Sequence, residues 1–288
     1  MSISVPGTRP PDRPHSSRGR PWLWIVIGLV AAVAAVGGVL IANGARWFHP
    51  RESRALPAFS SLAERPDPSL HGTVAYYDDA SRCVRLVAAS GQPSRDLLCL
   101  SEQDVAVRPE LNRKPAGPQL VWLPGDRLEV TMFWWSPESV KSGSAPVLHG
   151  DWQKVVDAGT GTVVQIPAAQ VPDSPNLTTR PTVSADGRRV AAESDPATGK
   201  ARVTLTDASG TRTLLSVRGP GEYTYSFGSV FWAPDGGWIA ASDDGRILVI
   251  TPGANPVTRV LVTGSGGGAG GGTAGPSFAV TATDLLAG

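Results

Sequence analysis

Histidine, cysteine and methionine are scarce in this chain, at four, two and two of 288 residues. The histidines are His15, His49, His71 and His149, and no HExxH, Cys/His cluster or Ser–His–Asp spacing surrounds them. That removes the common zinc centres and nucleophilic triads, and no catalytic residue, metal or cofactor is expected. A surplus of one charge is missing too. With 26 Lys and Arg against 25 Asp and Glu the formal net charge is +1. Phosphate neutralisation needs clustered cations, so no nucleic-acid partner is expected. The run Gly266–Gly271 formally satisfies GxGxxG, but it lies in a low-complexity stretch with no helix behind it, so it reads as linker and not as a dinucleotide fingerprint. Asp78–Asp79 and Asp243–Asp244 lack the further oxygen ligands of a calcium loop and read as turn residues.

Glycine, proline, alanine and valine are abundant and lysine is rare beside arginine, the composition of a protein from a GC-rich bacterium, actinobacterial in type. One long apolar run is present: Trp22 to Ala45 carries no charged side chain. As a helix it would reach about 36 Å, enough to cross a hydrocarbon core of about 30 Å with tilt. Trp22 and Trp24 flank one end and Trp47 and Phe48 the other, where amphipathic rings favour the headgroup region. The alternative is a cleaved signal peptide, although the run exceeds an ordinary h-region and "ANGA" at 42–45 is a poor cleavage site. The expectation is a single-pass integral membrane protein with a disordered cytoplasmic tail at 1–21, a span at 22–45 and the remainder outside the cytoplasm. Within the span, Ala34, Gly38 and Ala42 form a small-residue face that is a candidate helix–helix contact for a homodimer.

Residues 46–70, with Pro50, Pro57, Pro66 and Pro68, read as a tether. Beyond it the pattern is β. In "FWAPDGGWIAASDDGRILVI", 231–250, two turn signatures separate three apolar runs, and "TPGAN" leads into a fourth. The design recurs 49 residues upstream, where Val183 aligns with Trp232 and Asp186–Gly187 with Asp235–Gly236. A looser copy spans 121–135 and 152–167, and the first, 72–100, supplies three strands and lacks an initial one. Four-stranded meanders repeating at this interval are what a β-propeller blade requires, because one such sheet cannot bury both its faces.

"FWAPDGGWIAAS" and "PTVSADGRRVAAES" resemble the Ser-Pro-Asp-Gly blade motif of TolB-like propellers, relatives of WD-repeat proteins. The resemblance covers about residues 71–262, and "PGD" at 124–126 departs from the motif. The expected fold is all-β, a small propeller of about four blades preceded by one transmembrane helix. After the Gly-rich linker 263–275, the segment 276–288 could return as the innermost strand of the first blade. The alternative is a frayed tail and an incomplete ring, completed by a second protomer.

Cys83 and Cys99 each lie eight residues from Gly91 at the centre of a predicted hairpin, so they face one another as a disulfide or as two buried thiols. A disulfide fits an oxidising compartment. Trp134 and Trp135 in "MFWWSPESVKSGSAPVLHGDW", with Trp152 at its end, are a candidate interaction surface, against the alternative of core filling between blades. The leading reading of function is an extracytoplasmic protein-binding or scaffolding module with a protein partner; TolB-like propellers commonly mediate protein contacts, and this transfer is by fold analogy. Two alternatives stand beside it. One is an enzyme or enzyme-accessory propeller acting on a small molecule or carbohydrate, with Glu129, Asp151 and Glu193 converging on the ring axis; the other is a sensor coupled to a cytoplasmic partner.

Overall fold

The computed structural model describes residues 58–105, 114–135, 148–167, 170, 181–218, 226–243, 245–263 and 277–286. The chain divides into units 1–55 and 56–288, and every described residue belongs to the second. The tail, the expected span and its Ala34, Gly38 and Ala42 lie outside the described residues. Among the described residues no helix is long and apolar enough to cross a membrane.

The second unit is all-β. Its strands are β1 (Ser60–Ser61), β2 (Thr73–Asp78), β3 (Cys83–Ala88), β4 (Ser94–Cys99), β5 (Lys114–Leu123), β6 (Arg127–Trp135), β7 (Leu148–Asp157) and β8 (Val163–Ile166). They continue as β9 (Arg189–Asp195), β10 (Lys200–Asp207), β11 (Gly210–Arg218), β12 (Ser229–Trp232), β13 (Ile239–Asp243), β14 (Arg246–Thr251), β15 (Val257–Val262) and β16 (Phe278–Thr281). One short helix, α1 (Glu102–Val105), follows β4.

The strands form four sheets, in the orders β16-β2-β3-β4 (sheet I), β5-β6-β7-β8 (sheet II), β11-β10-β9 (sheet III) and β1-β15-β14-β13-β12 (sheet IV). All pairings are antiparallel except β1 with β15. Side chains alternate across a strand, so an element buried on both faces needs apolar residues at successive positions. In β14, Ile247 and Val249 enter the core shared with sheet I, while Leu248 and Ile250 enter the core shared with sheet III. In β2, Val74 and Tyr76 face sheet IV, and Ala75 and Tyr77 face sheet II. The sheets therefore pack in the order III, IV, I, II, with one hydrophobic cluster at each junction. Among the described residues no such cluster joins sheets II and III. The outer face of sheet II is polar where it is buried: Gln153 donates to the Thr131 hydroxyl at 3.1 Å, which in turn donates to Glu129 at 3.3 Å.

Both flanks of the second unit are built into this packing. β16 pairs with β2 in the register Phe278↔Tyr76 to Thr281↔Thr73, so sheet I takes one of its two edge strands from the C-terminal segment, the segment expected to complete the first sheet. Phe278 is fully buried and stacks on Phe231 of sheet IV, with ring centroids 5.0 Å apart. The tether expected at 46–70 is, from residue 58 onward, part of the fold. β1 extends sheet IV, and Leu62 and Leu70 are buried in the I–IV core. The prolines exclude a helix but not a short edge strand, and the two leucines supply apolar surface that the groove takes up. Gly91 fits the same place: at φ +102° it lies so close that a Cβ would stand 2.3 Å from the carbonyl oxygen of Leu62.

Cys83 and Cys99 are opposite each other on β3 and β4 and form a disulfide, with Cα atoms 4.0 Å apart. Symmetry about Gly91 accounts for this only with a bulge. The inner pairs Val87↔Ser94 to Arg85↔Asp96 run one residue out of that register, and the irregularity between Val84 and Arg85 restores it.

Each junction is also fixed by an indole N–H. Trp152 of sheet II donates to the carbonyl of Asp104 in α1 at 3.0 Å, Trp232 of sheet IV to Arg188 before sheet III at 3.1 Å, and Trp238 of sheet IV to His71 before β2 at 3.0 Å. Trp122 differs, because its Nε1 is buried with no partner. Replacing Trp152, Trp232 or Trp238 by Phe removes an indole hydrogen bond and loses ring volume, and each change should lower unfolding free energy by about 1–3 kcal/mol. Trp122→Phe should leave stability unchanged or raised, because it removes an unmatched donor. Denaturant unfolding of the four variants tests the contrast; equal losses in all four would contradict it.

Candidate functional site

The repeated turns gather beside the ends of β5 and β12. In sheet IV, "APDGGW" is closed by Ala233 N–H donating to the Trp238 carbonyl, and Gly236 takes φ +71°. In sheet III the turn "SADGR" is closed by Ser184 N–H donating to Arg188, with Gly187 at φ +84°. The two pair their strands one residue out of step: Trp232 faces Ile239, whereas Val183 faces Arg189. A one-residue slip turns a side chain to the opposite face. Trp232 is accordingly 1% exposed and its aligned residue Val183 is 42% exposed. In sheet II the "PGD" turn has positive φ at both Gly125 and Asp126, a conformation that Asp tolerates.

The turns of sheets III and IV are joined through Arg188. Its guanidinium pairs with Asp186, donates to the carbonyl of Gly236 at 3.2 Å and lies 4.5 Å from the ring centroid of Trp232. Arg188 first, and the Ser184 hydroxyl second, hold the Asp186 carboxyl down at about 2. Tyr77, in the I–II core, is pushed up to about 12, chiefly by burial.

Beside these turns the ends of β5, β12 and β16 line a half-open cavity of about 370 Å³, a size at the low end of small-ligand sites. Leu120, Trp122, Leu123 and Pro124 of the β5 end, Phe231 and Pro234 around the end of β12, and Ala279–Ala282 line it. No lining side chain is ionisable. Ala279–Thr281 are three successive residues of one strand and cannot all point the same way, so the main chain of β16 also meets the cavity. Tyr77 N–H donates to the Ser277 carbonyl, and the alternation of an antiparallel ladder then turns the N–H and C=O of Val280 away from β2. The site offers apolar walls and a strand edge, and no nucleophile–base pair lines it.

A latch at the same end holds β16 in place. Asp284 accepts from the backbone N–H of Gly72 and lies 3.2 Å from His71 Nδ1. Thr73 hydroxyl donates to the Thr283 carbonyl at 2.8 Å and accepts from Leu285 N–H at 3.0 Å. Gly72 has φ +104°, and a Cβ there would stand 2.4 Å from the Thr281 carbonyl oxygen.

The residues singled out from sequence are distributed otherwise. Trp152, a candidate for an exposed interaction surface, is 8% exposed in the I–II core opposite Met132, with Lys154 4.7 Å from its ring centroid. Its face follows by unbroken alternation from Val156, because the irregularity between Met132 and Phe133 falls beyond it, toward Gly150. Trp134 and Trp135 end β6, paired with His149 and Leu148, and their side chains lie outside the described residues. The three acidic residues of the enzyme reading do not form one cluster with a base. Glu129 accepts from Thr131 in sheet II, Glu193 pairs with Arg202 at 3.1 Å in sheet III, and Asp151 lies on β7. Asp78 serves a turn, bonded to Ala80 N–H and the Ser81 hydroxyl, and Asp243 is fully buried against Arg246 at 2.6 Å. The cavity-lining residues Trp122, Phe231 and Ala279–Ala282 had no sequence signal beyond apolarity. No protein-family model matches the chain, and no curated protein matches it.

The backbone hydrogen bond from Gly72 is the main cause that depresses the Asp284 carboxyl below the ordinary range. A depressed carboxyl contributes stability that is complete above its unfolded value, about 3.9, and that disappears as pH falls through the folded value. Melting temperature should therefore be flat above about pH 5 and fall below about pH 4. Asp284→Asn should reduce that slope and raise hydrogen exchange at the Ala279 and Thr281 amides, which face β2, at neutral pH. An unchanged exchange rate would show that the latch does not hold β16.

Proposed function

We propose that this chain is a membrane-anchored β-propeller of about four blades that acts outside the cytoplasm as a protein-binding or scaffolding module. The observation that carries the reading is β16. A C-terminal strand that supplies an edge strand of the N-terminal sheet is the natural way to fasten a circular array of sheets. The sequential packing of four sheets through both faces of I and IV supports the same architecture. The uncharged run 22–45 supports the anchor. The Cys83–Cys99 disulfide supports an oxidising compartment. The cavity at the ends of β5, β12 and β16, with uncharged walls and an open main-chain edge, supports recognition more readily than turnover.

Proximity labelling in the native membrane, with the full chain and with a control bearing only residues 1–60, tests the binding role. Partners should be labelled by the full chain and lost in the control; none specific to the full chain would move the weight to a small-molecule role centred on the cavity. Compartment is tested separately. Cys83 and Cys99 of natively isolated protein should resist alkylation until a reductant is added, and immediate labelling of both would argue against an oxidising location.

A further inference from the structure

The outer edges of the four sheets are not treated alike. β15 is covered by β1, β4 carries Arg95 and Asp96, and β11 carries Arg212 and Arg218. Among the described residues β8, "VVQI", has no strand covering its outer edge, it carries no charge, and from Ala158 to Pro172 the chain contains no ionisable side chain. Four large hydrophobic residues are exposed among the described residues, and two of them are the β8 neighbours Val163 and Val164, at 43% and 56%. An uncovered, uncharged, apolar edge is a template for pairing with another strand, and proteins ordinarily block such edges.

We propose that β8 is a self-association edge, which pairs antiparallel with β8 of a second copy about a two-fold axis through Val164. The hydrogen-bond alternation selects this register. Asp157 N–H donates to the Thr162 carbonyl, so even-numbered residues of β8 turn their main-chain groups toward β7, and Val163 and Gln165 turn theirs outward. Centred on Val164, the N–H and C=O of Val163 meet those of Gln165 of the second copy, and the reverse. Val164 meets Val164 of the second copy at a non-hydrogen-bonded position, where opposed side chains come closest. A two-fold axis sets residue i against j and j against i. That penalises β11, whose two charges are both Arg, as a self-pairing edge and leaves the neutral β8 unpenalised. This contact is separate from the small-residue face of the expected span.

Disulfide trapping in the full chain tests the register. The two native cysteines are bonded to each other, so Val164→Cys introduces the one free thiol. Under mild oxidation Val164→Cys should give a covalent dimer at least about tenfold faster than Val163→Cys, whose partner is Gln165 and not itself. The double variant Val163→Cys with Gln165→Cys should also dimerise. Adding Val164→Lys to that double variant should slow its trapping by about tenfold or more, because two ammonium groups then meet across the axis. Reduced variants must melt like the native chain, as substitutions at exposed positions should. Equal trapping at 163 and 164, no trapping at either, or indifference to Val164→Lys would each overturn the proposal.

Discussion

Burial of sheets I and IV on both faces is the constraint on which the rest of the fold depends. Neither sheet has a wet side to spare, so each needs a neighbour on either hand, and the two meet at the Phe231–Phe278 stack. That one seam brings together β12, β16, β2 and the segment carrying Leu62 and Leu70. Sheets II and III each share one hydrophobic junction among the described residues, and their strands carry correspondingly more polar side chains: Glu129, Thr131 and Gln153 in II, Glu193, Arg202 and Thr204 in III. The near-continuous apolar runs of β13 and β14 and the mixed pattern of β9 are two outcomes of this single asymmetry.

The indole hydrogen bonds add direction to packing that would otherwise be indifferent to small rotations. Dispersion and burial hold two sheets together but fix no register between them; a Trp N–H that must find one carbonyl does. Lys154 and Arg188 lie over two of the three rings, so the same tryptophans also anchor charged side chains at the rims of the junctions. Around the cavity the arrangement is reversed, with apolar walls and a main-chain edge turned inward.

Turn chemistry and period-2 alternation made the strands of sheets III and IV legible in the sequence, because Asp–Gly at 186–187 and 235–236 marks each turn by a conformation few other residues accept. The disulfide was legible from the symmetry of Cys83 and Cys99 about Gly91, although the bulge that completes that register was not. Trp152 went the other way. Its side of β7 follows from plain alternation with Val156, but an aromatic run beside a polar insertion says nothing about which face a neighbouring sheet covers. The burial of Leu62 was hidden by prolines that look like a tether, since proline reports what a backbone cannot do and nothing about where its neighbours pack. The cavity was out of reach for a plainer reason: its lining comes from three sheets whose strands are far apart in the chain.

The pairing of β16 with β2 has a consequence in time. About two hundred residues separate Tyr76 from Phe278, its partner across the ladder. At about 5–20 residues per second, synthesis leaves β2 without its neighbour for about 10–40 s. Throughout that interval the nascent chain carries an open strand edge and an apolar face meant for Phe278. The arrival of Phe278–Thr281 therefore decides when sheet I stops exposing that edge, and a ribosome that stalls in the glycine-rich stretch before them holds the sheet one strand short of completion.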